Sequence, residues 1–285
     1  MSSINKRAKQ ISAEIISNKK VGAYHHITLA VGEIAQLIKP GNFVAVAVGG
    51  EDSRMVLRRA FAIYKSSMDP LDGGIVELVV APHGSGSKWL CSAPIHSMID
   101  VILPLGKAFG IPVNPVNALL VGGGYGSAPL FGLAEALKAK QCNVDMVLGA
   151  STASKIYAPQ EGKRSTNSMI FTTDDGSLGL EGMVSSVIPE IIEKNNIEII
   201  YSCGPMAMLE AVTQIAAEYG LQHQCAVEES MACGIGVCMT CVLPVRGEDG
   251  IARMVRTCIE GPVMEGSDIL WNTGRKVPSE VWGAL

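Results

Sequence analysis

The chain has 285 residues, 48% of them apolar and 18% charged, with a formal net charge of −4. That balance excludes a disordered chain and provides no basic surface for nucleic acid or an anionic membrane. The length exceeds one typical core and points to two domains with a small appendage.

The opening stretch, MSSINKRAKQISAEIISNKK, lacks the apolar centre of a signal peptide, and no run approaches the ~20 apolar residues of a membrane span. A cytoplasmic protein is therefore expected, in which the eight cysteines stay reduced and serve metal or redox chemistry rather than disulfides. No fixed-period repeat is present, so a solenoid is excluded.

Residues 1–115 read as short strands broken by turns. β-Branched runs at 24–31, 43–48, 75–81 and 98–103 are separated by Gly, Pro and Asp clusters, the pattern of an antiparallel β barrel. The texture then changes. The strand ALLVGGG leads into a helical run ending near Lys140, followed by the strand VDMVLGA. Two further strands, SMIFTT and IEIIYSCGP, are separated by a predicted helix over 183–194. This alternation over 116–222 predicts an α/β domain with a parallel sheet. Residues 223–285 are turn-rich and have no evident core of their own, so a bound metal cluster would have to stabilise them.

Within the barrel segment, Arg59 places a guanidinium on the apolar run LRRAFAIY, where a phosphate would satisfy it. An exposed Arg on an edge strand is the alternative. Gly84-Ser85-Gly86-Ser87 is a candidate anion-binding turn, with Ser87 capping a short helix.

In the α/β segment, Gly122, Gly123, Gly124 and Gly126 follow an apolar strand and precede a helix that opens near Ala128-Pro129. Free N–H groups and the helix dipole favour a pyrophosphate there. A turn that merely tightens a strand–helix corner is the competing explanation. Cys203, Gly204 and Pro205 end a later strand and start a predicted helix over 206–219, whose Leu209, Val212, Ala216 and Tyr219 share one face. A cysteine at the carboxyl edge of a parallel sheet is well placed beside a nicotinamide ring. A buried thiol at a helix start has the same spacing.

The most specific signal is CGIGVCMTC. Cys233, Cys238 and Cys241, with Cys258 sixteen residues on, carry the plant-type spacing of a [2Fe–2S] cluster. Gly234 and Gly236 allow a tight wrap with backbone amides turned toward sulfur. Zinc or scattered core thiols are the alternatives. Zinc ribbons usually pair two C-x2-C knuckles, and only one occurs here. Cys91, Cys142 and Cys225 fall outside the spacing and read as buried small hydrophobes. The five histidines read as structural or surface residues.

These pieces in this order resemble the ferredoxin-reductase superfamily. EESMACGIGVCMTC with TCIEGPVM, and TTDDGSLGLEGMVSSVI at 172–188, are similar to the electron-transfer subunits of NAD-linked dihydroorotate dehydrogenase, over nearly the whole chain. The resemblance implies three cofactors: FAD, a [2Fe–2S] cluster and NAD. It implies a separate FMN-containing catalytic subunit in a two-plus-two heterotetramer that oxidises dihydroorotate in pyrimidine biosynthesis. Electrons then pass through the cluster to FAD and on to NAD.

Carried onto this chain, Arg59 would bind the FAD pyrophosphate and Ala60, Phe61 and Ala62 would lie along the flavin. Val79, Val80 and Ala81 would pass near it through their backbone, and Gly86 and Ser87 would hold its phosphates. Gly122, Gly123, Gly124 and Gly126 would frame the NAD site with Cys203, Gly204 and Pro205. Cys203 is the candidate catalytic residue. One departure stands out: Ala60 and Ala62 replace the Pro and Ser of the usual Arg-Pro-x-Ser. That substitution keeps a second function open, an FAD and [2Fe–2S] reductase subunit serving a sulfide, ferredoxin or hydrogenase partner. A redox-sensing or zinc-binding module on the same scaffold is a third. No dihydroorotate site is visible in the chain. Ser151–Lys155 leaves NAD against NADP open, and the resemblance favours NAD.

Overall fold

A computed structural model describes residues 8–50, 53–271 and 281. The first 105 residues supply β1 (Lys9–Val21), β2 (Tyr24–Ala30), β3 (Phe43–Val46), β4 (Arg59–Asp69), β5 (Gly73–Val80), α1 (Ser85–Ser92) and β6 (Met98–Leu105). The six strands close into an antiparallel barrel in the order β1-β2-β5-β4-β3-β6. β1 lies in the stretch that carried no predicted strand. Polar residues crowd it, yet Ala13 and Ile15 alternate inward and are fully buried. The barrel core gathers Ile15, Ile27, Leu29, Val44, Val46, Val76, Leu78 and Leu103.

From residue 117 come β7 (Asn117–Gly123), α2 (Ala128–Ala139), β8 (Asn143–Ala150), α3 (Pro159–Ser165), β9 (Ser168–Thr173), β10 (Leu180–Glu181), α4 (Ile188–Asn195), β11 (Ile199–Cys203) and α5 (Met206–Glu218). After them run β12 (Gln222–Ala226), β13 (Val242–Arg246), β14 (Ala252–Arg256) and β15 (Val263–Glu265). The sheet order is β10-β9-β8-β7-β11-β12-β15, parallel throughout except where β15 meets β12.

Alternation along β7 explains the layers. Ala118 and Leu120 face α2, packing on Leu130, Phe131 and Leu137, while Leu119 and Val121 face α4 and α5 on the other side. The predicted helix over 183–194 is a 3-10 turn at Val184–Ser186 followed by α4, because Pro189 fits only the first turn of a helix. On α5 the buried face is Leu209, Val212, Thr213 and Ala216. Tyr219 lies at the surface, its hydroxyl donating to Glu193 at 3.0 Å.

Barrel and sheet are joined by an aromatic contact. Tyr64 of β4 meets Phe131 of α2 at 5.4 Å and Tyr157 edge-on at 5.5 Å. Lys65 adds ion pairs to Glu135 and Glu161 across the same seam. The segment after α5 leans on both neighbours. β12 and β15 extend the sheet, and Cys241, Cys258 and Ile259 pack on Phe43, Ala45 and Leu105 of the barrel. Among the described residues no helix is long and apolar enough to cross a membrane.

Candidate functional site

The chain leaves the sheet centre by β8, β9 and β10 on one side and returns to the other at β11, so β7 and β11 flank the reversal of strand order. Ligands bind at such a point, outside the carboxyl ends of the strands. Pairing of Cys203 with Gly122 in the parallel register brings the two sequence motifs, eighty residues apart, side by side. The glycines make this contact possible. A Cβ on Gly126 would stand 2.8 Å from the Gly204 Cα, and one on Gly123 would stand 2.7 Å from the Pro205 Cδ. Their first role here is close packing of two turns. Gly124 differs: its φ is +54° and a Cβ there would meet nothing within 4 Å. Gly122 lies inside β7 against Leu148 and Ser127, behind the cleft wall.

Two clefts open at this point. The first, about 380 Å³, lies between barrel and sheet and is lined by Arg59, Ala60, Phe61 and Ala62 of β4, Val79 and Ala81, Ser87, Gly126, and Cys203 with Gly204. Val80 points the other way, buried in the barrel core. Arg58 and Arg59 divide their labour. Arg58 pairs with Asp100 at 2.9 Å. Arg59 hydrogen-bonds only to backbone carbonyls of Leu57 and Arg58, and among the described residues no carboxylate pairs with it. A Cβ on Gly86 would come 2.9 Å from the Arg59 Nε, so the glycine makes room for the guanidinium beside the start of α1. Ser87 closes that turn, its Oγ accepting from the Gly84 N–H at 3.1 Å.

The second cleft, about 550 Å³, runs along the sheet edge past Gly123, Gly124, Gly149, Ser151, Lys155, Asp174 and Pro205. Lys155 donates to Ser151 Oγ at 3.0 Å, and its carbonyl accepts the Tyr24 hydroxyl at 2.8 Å.

Cys203 is buried, and that burial, with the charge of Glu228 second, raises its pKa so that it remains a neutral thiol. Its side chain lines the first cleft beside Gly204. Tyr125, His83 and Glu228 were not singled out as site residues from the sequence. All three line the first cleft, and Tyr125 donates to Glu228 Oε1 at 2.8 Å. Their signal was weak, since Tyr125 was hidden among glycines and Glu228, the first residue of EESMACGIGVCMTC, was overshadowed by the cysteines of that motif.

The cysteine loop curls against the barrel. Gly234 and Gly236 both have positive φ, at +68° and +81°, and a Cβ on Gly236 would lie 2.5 Å from Ile259 Cγ1. Cys238 Sγ is 3.3 Å from Cys233 Sγ, and Cys241 and Cys258 are buried in one cluster with Phe43, Ala45 and Leu105. The Cys238 N–H donates to Cys233 Sγ at 3.4 Å, and Thr240 hydrogen-bonds the Cys238 sulfur, lowering its pKa to about 6. Burial raises that of Cys258. Thr257 and Arg256 hold the loop backbone, donating to the Cys241 and Gly236 carbonyls at 2.8 Å each.

Barrel, parallel sheet and cysteine loop together define a ferredoxin-reductase-like oxidoreductase. Residues 120–214 match the oxidoreductase NAD-binding domain, and residues 228–270 match the iron-sulfur cluster binding domain of dihydroorotate dehydrogenase B. The chain is 32% identical to the dihydroorotate dehydrogenase B (NAD(+)) electron transfer subunit of Geobacillus thermodenitrificans, over 86% of this chain and 92% of the relative. It is 30% identical to that of Desulforamulus reducens, over 84% and 89%. Among solved structures, a chain of the NADH-dependent reduced ferredoxin-NADP oxidoreductase, described for flavin-based electron bifurcation, superposes with a TM-score of 0.79. It is 26% identical and covers 92% of this chain and 90% of its own. The chain belongs to the family of dihydroorotate dehydrogenase B electron transfer subunits.

Proposed function

We propose that this chain carries electrons from a dihydroorotate-oxidising partner to NAD, holding a [2Fe–2S] cluster at the cysteine loop, FAD in the first cleft and the dinucleotide in the second. The cysteine loop carries the cluster assignment. Cys233, Cys238, Cys241 and Cys258 have the ligand spacing of a [2Fe–2S] cluster and lie in the segment that matches the iron-sulfur cluster binding domain. Such a cluster takes two thiolates on each iron. The cleft volume suits a cofactor. Arg59, which pairs with no carboxylate among the described residues, would take the FAD pyrophosphate at the start of α1, with Gly86 and Ser87 beside it. Ala60, Phe61 and Ala62 would line the ring, and Val79 and Ala81 its other side. Gly123 and Gly124 would receive the NAD pyrophosphate while Cys203, Gly204 and Pro205 flank the nicotinamide.

When bound, these groups supply the electron chemistry, single electrons at the cluster and hydride exchange between flavin and NAD. The chain supplies distance and shielding. Phe43 shares a buried cluster with Cys241 and Cys258 and also lines the first cleft, so it would stand between the cluster and the flavin. Cys203, neutral and buried, excludes water without offering a competing nucleophile.

The relatives' name as electron transfer subunits supports a separate catalytic partner; that it carries FMN and that two of each form the complex are what the sequence resemblance implies. A cytoplasmic location follows from the sequence reading of the eight cysteines as metal and redox thiols. A second reading, with another donor such as ferredoxin or sulfide, draws on the 26% identical solved chain and on Ala60 and Ala62. Purification without oxygen, with whatever partner is retained, followed by assay of dihydroorotate-dependent NAD reduction separates them. Activity that Cys238→Ser abolishes supports the first. A complex with intact FAD and cluster but no dihydroorotate activity overturns it, and the retained partner then identifies the donor.

A further inference from the structure

Among the described residues only Ala81, His83 and Tyr125 line both clefts, and Tyr125 has the largest side chain of the three. Its ring stands 5.6 Å from that of His83 and 6.4 Å from that of Tyr24, both at tilted angles. Its hydroxyl donates to Glu228 Oε1 at 2.8 Å, while the residue stays 38% exposed. The backbone on one side of it is fixed, because Gly126 is packed against Gly204. On the other side, Gly124 faces open space. A large, partly exposed ring held by one hydrogen bond therefore stands where the two clefts meet.

Two rings that exchange a hydride must bring the reacting atoms to about 3–3.5 Å. A phenol ring on the shared wall prevents that approach while it stays in place. Taking the FAD and NAD assignments above as the basis, we infer that Tyr125 is a positioning residue that partitions the flavin cleft from the dinucleotide cleft. Glu228 latches it, and it turns aside when the nicotinamide enters. Glu228 is the first residue of the segment that matches the cluster-binding family model and lies five residues before Cys233, so the latch is anchored to the cluster segment.

The latch has a thermodynamic signature. If only an unlatched fraction accepts the dinucleotide, its apparent Kd is raised by the inverse of that fraction. One hydrogen bond to an exposed carboxylate corresponds to about a three- to tenfold effect.

The test is calorimetric titration of the FAD- and cluster-loaded protein with NAD, in which no turnover occurs. Tyr125→Phe keeps the ring and removes the donor, and it should tighten the NAD Kd about three- to tenfold with unchanged FAD content. Tyr125→Ala should tighten it at least as much. Combining Tyr125→Phe with Glu228→Gln should add nothing to Tyr125→Phe alone, because both changes open the same latch. An NAD Kd that stays within about twofold of the unaltered protein in both Tyr125 variants overturns the partition. So does weaker binding, which would make the ring a platform for the nicotinamide. Unaltered, flavin-loaded protein that binds no NAD overturns the dinucleotide assignment itself, and the partition with it.

Discussion

The first cleft is walled by elements that hold their shape for other reasons. β4 and β5 belong to a closed barrel with its own buried core, and β7 and β11 lie at the centre of a seven-stranded sheet. The cysteine loop is different. Residues 228–241 contain no helix or strand, and the buried side chains around them, Phe43, Ala45 and Leu105, come from the barrel. A cleft on a rigid scaffold can exist before its cofactor arrives, whereas a loop with so little core is stabilised by what it binds.

Removal of the cluster should break the symmetry most visibly. Cys258→Ser removes the most deeply buried of the four thiols, and hydrogen exchange should rise across 228–260 while β4, β5 and β7 stay protected. Uniform exchange across all three regions would show that the loop folds without metal. Emptying the first cleft should do the opposite. Arg59→Ala should weaken FAD binding about ten- to hundredfold, the range for a lost charge-assisted contact to phosphate. The barrel should melt as before, measured by equilibrium dialysis and by circular dichroism of the flavin-free protein.

A backbone lesion in the loop sharpens the contrast at smaller scale. Gly236→Ala forces a Cβ into Ile259 at positive φ and should cost about 1–3 kcal/mol of local stability. Iron content should fall and be partly restored by Ile259→Ala, with FAD content unchanged. Equal iron content in Gly236→Ala would show that the loop adapts.

The smallest effect belongs to the sheet. His223 is buried between Ser202 Oγ at 2.6 Å and Thr213 Oγ1 at 3.0 Å, and burial pushes its pKa down from 6.5 to about 3. The folded state therefore refuses a proton that the unfolded chain accepts. This contribution to stability is complete above about pH 6.5 and is lost as pH falls toward about 3. Between about pH 7.5 and 5.5 the loss should reach about 1.4 kcal/mol in denaturant titrations, and His223→Gln should flatten that slope. An unchanged slope would place the acid sensitivity elsewhere.

Much of this molecule was legible from residue order. The strand-rich start, the alternation after residue 117 and the spacing of Cys233, Cys238, Cys241 and Cys258 depend on local periodicity and on a cluster that demands fixed ligand intervals. β1 escaped because its inward positions, Ala13 and Ile15, are diluted by lysine, asparagine and serine on the outward face. The division of roles between Arg58 and Arg59 was equally hidden, since only the barrel brings Asp100 to one and the open cleft to the other.

Local chemistry thus pointed to the cofactors, because the spacing of four cysteines and the glycine turn after an apolar strand are read along the sequence. Tertiary structure alone decided how those sites face one another. It set Cys203 beside Gly122, Phe43 between the buried cysteines and the first cleft, and Tyr125 on the wall common to both clefts. Those relations join residues from about eighty to two hundred positions apart, and no periodicity reaches that far; only the closure of the barrel and the order of the sheet bring them within contact.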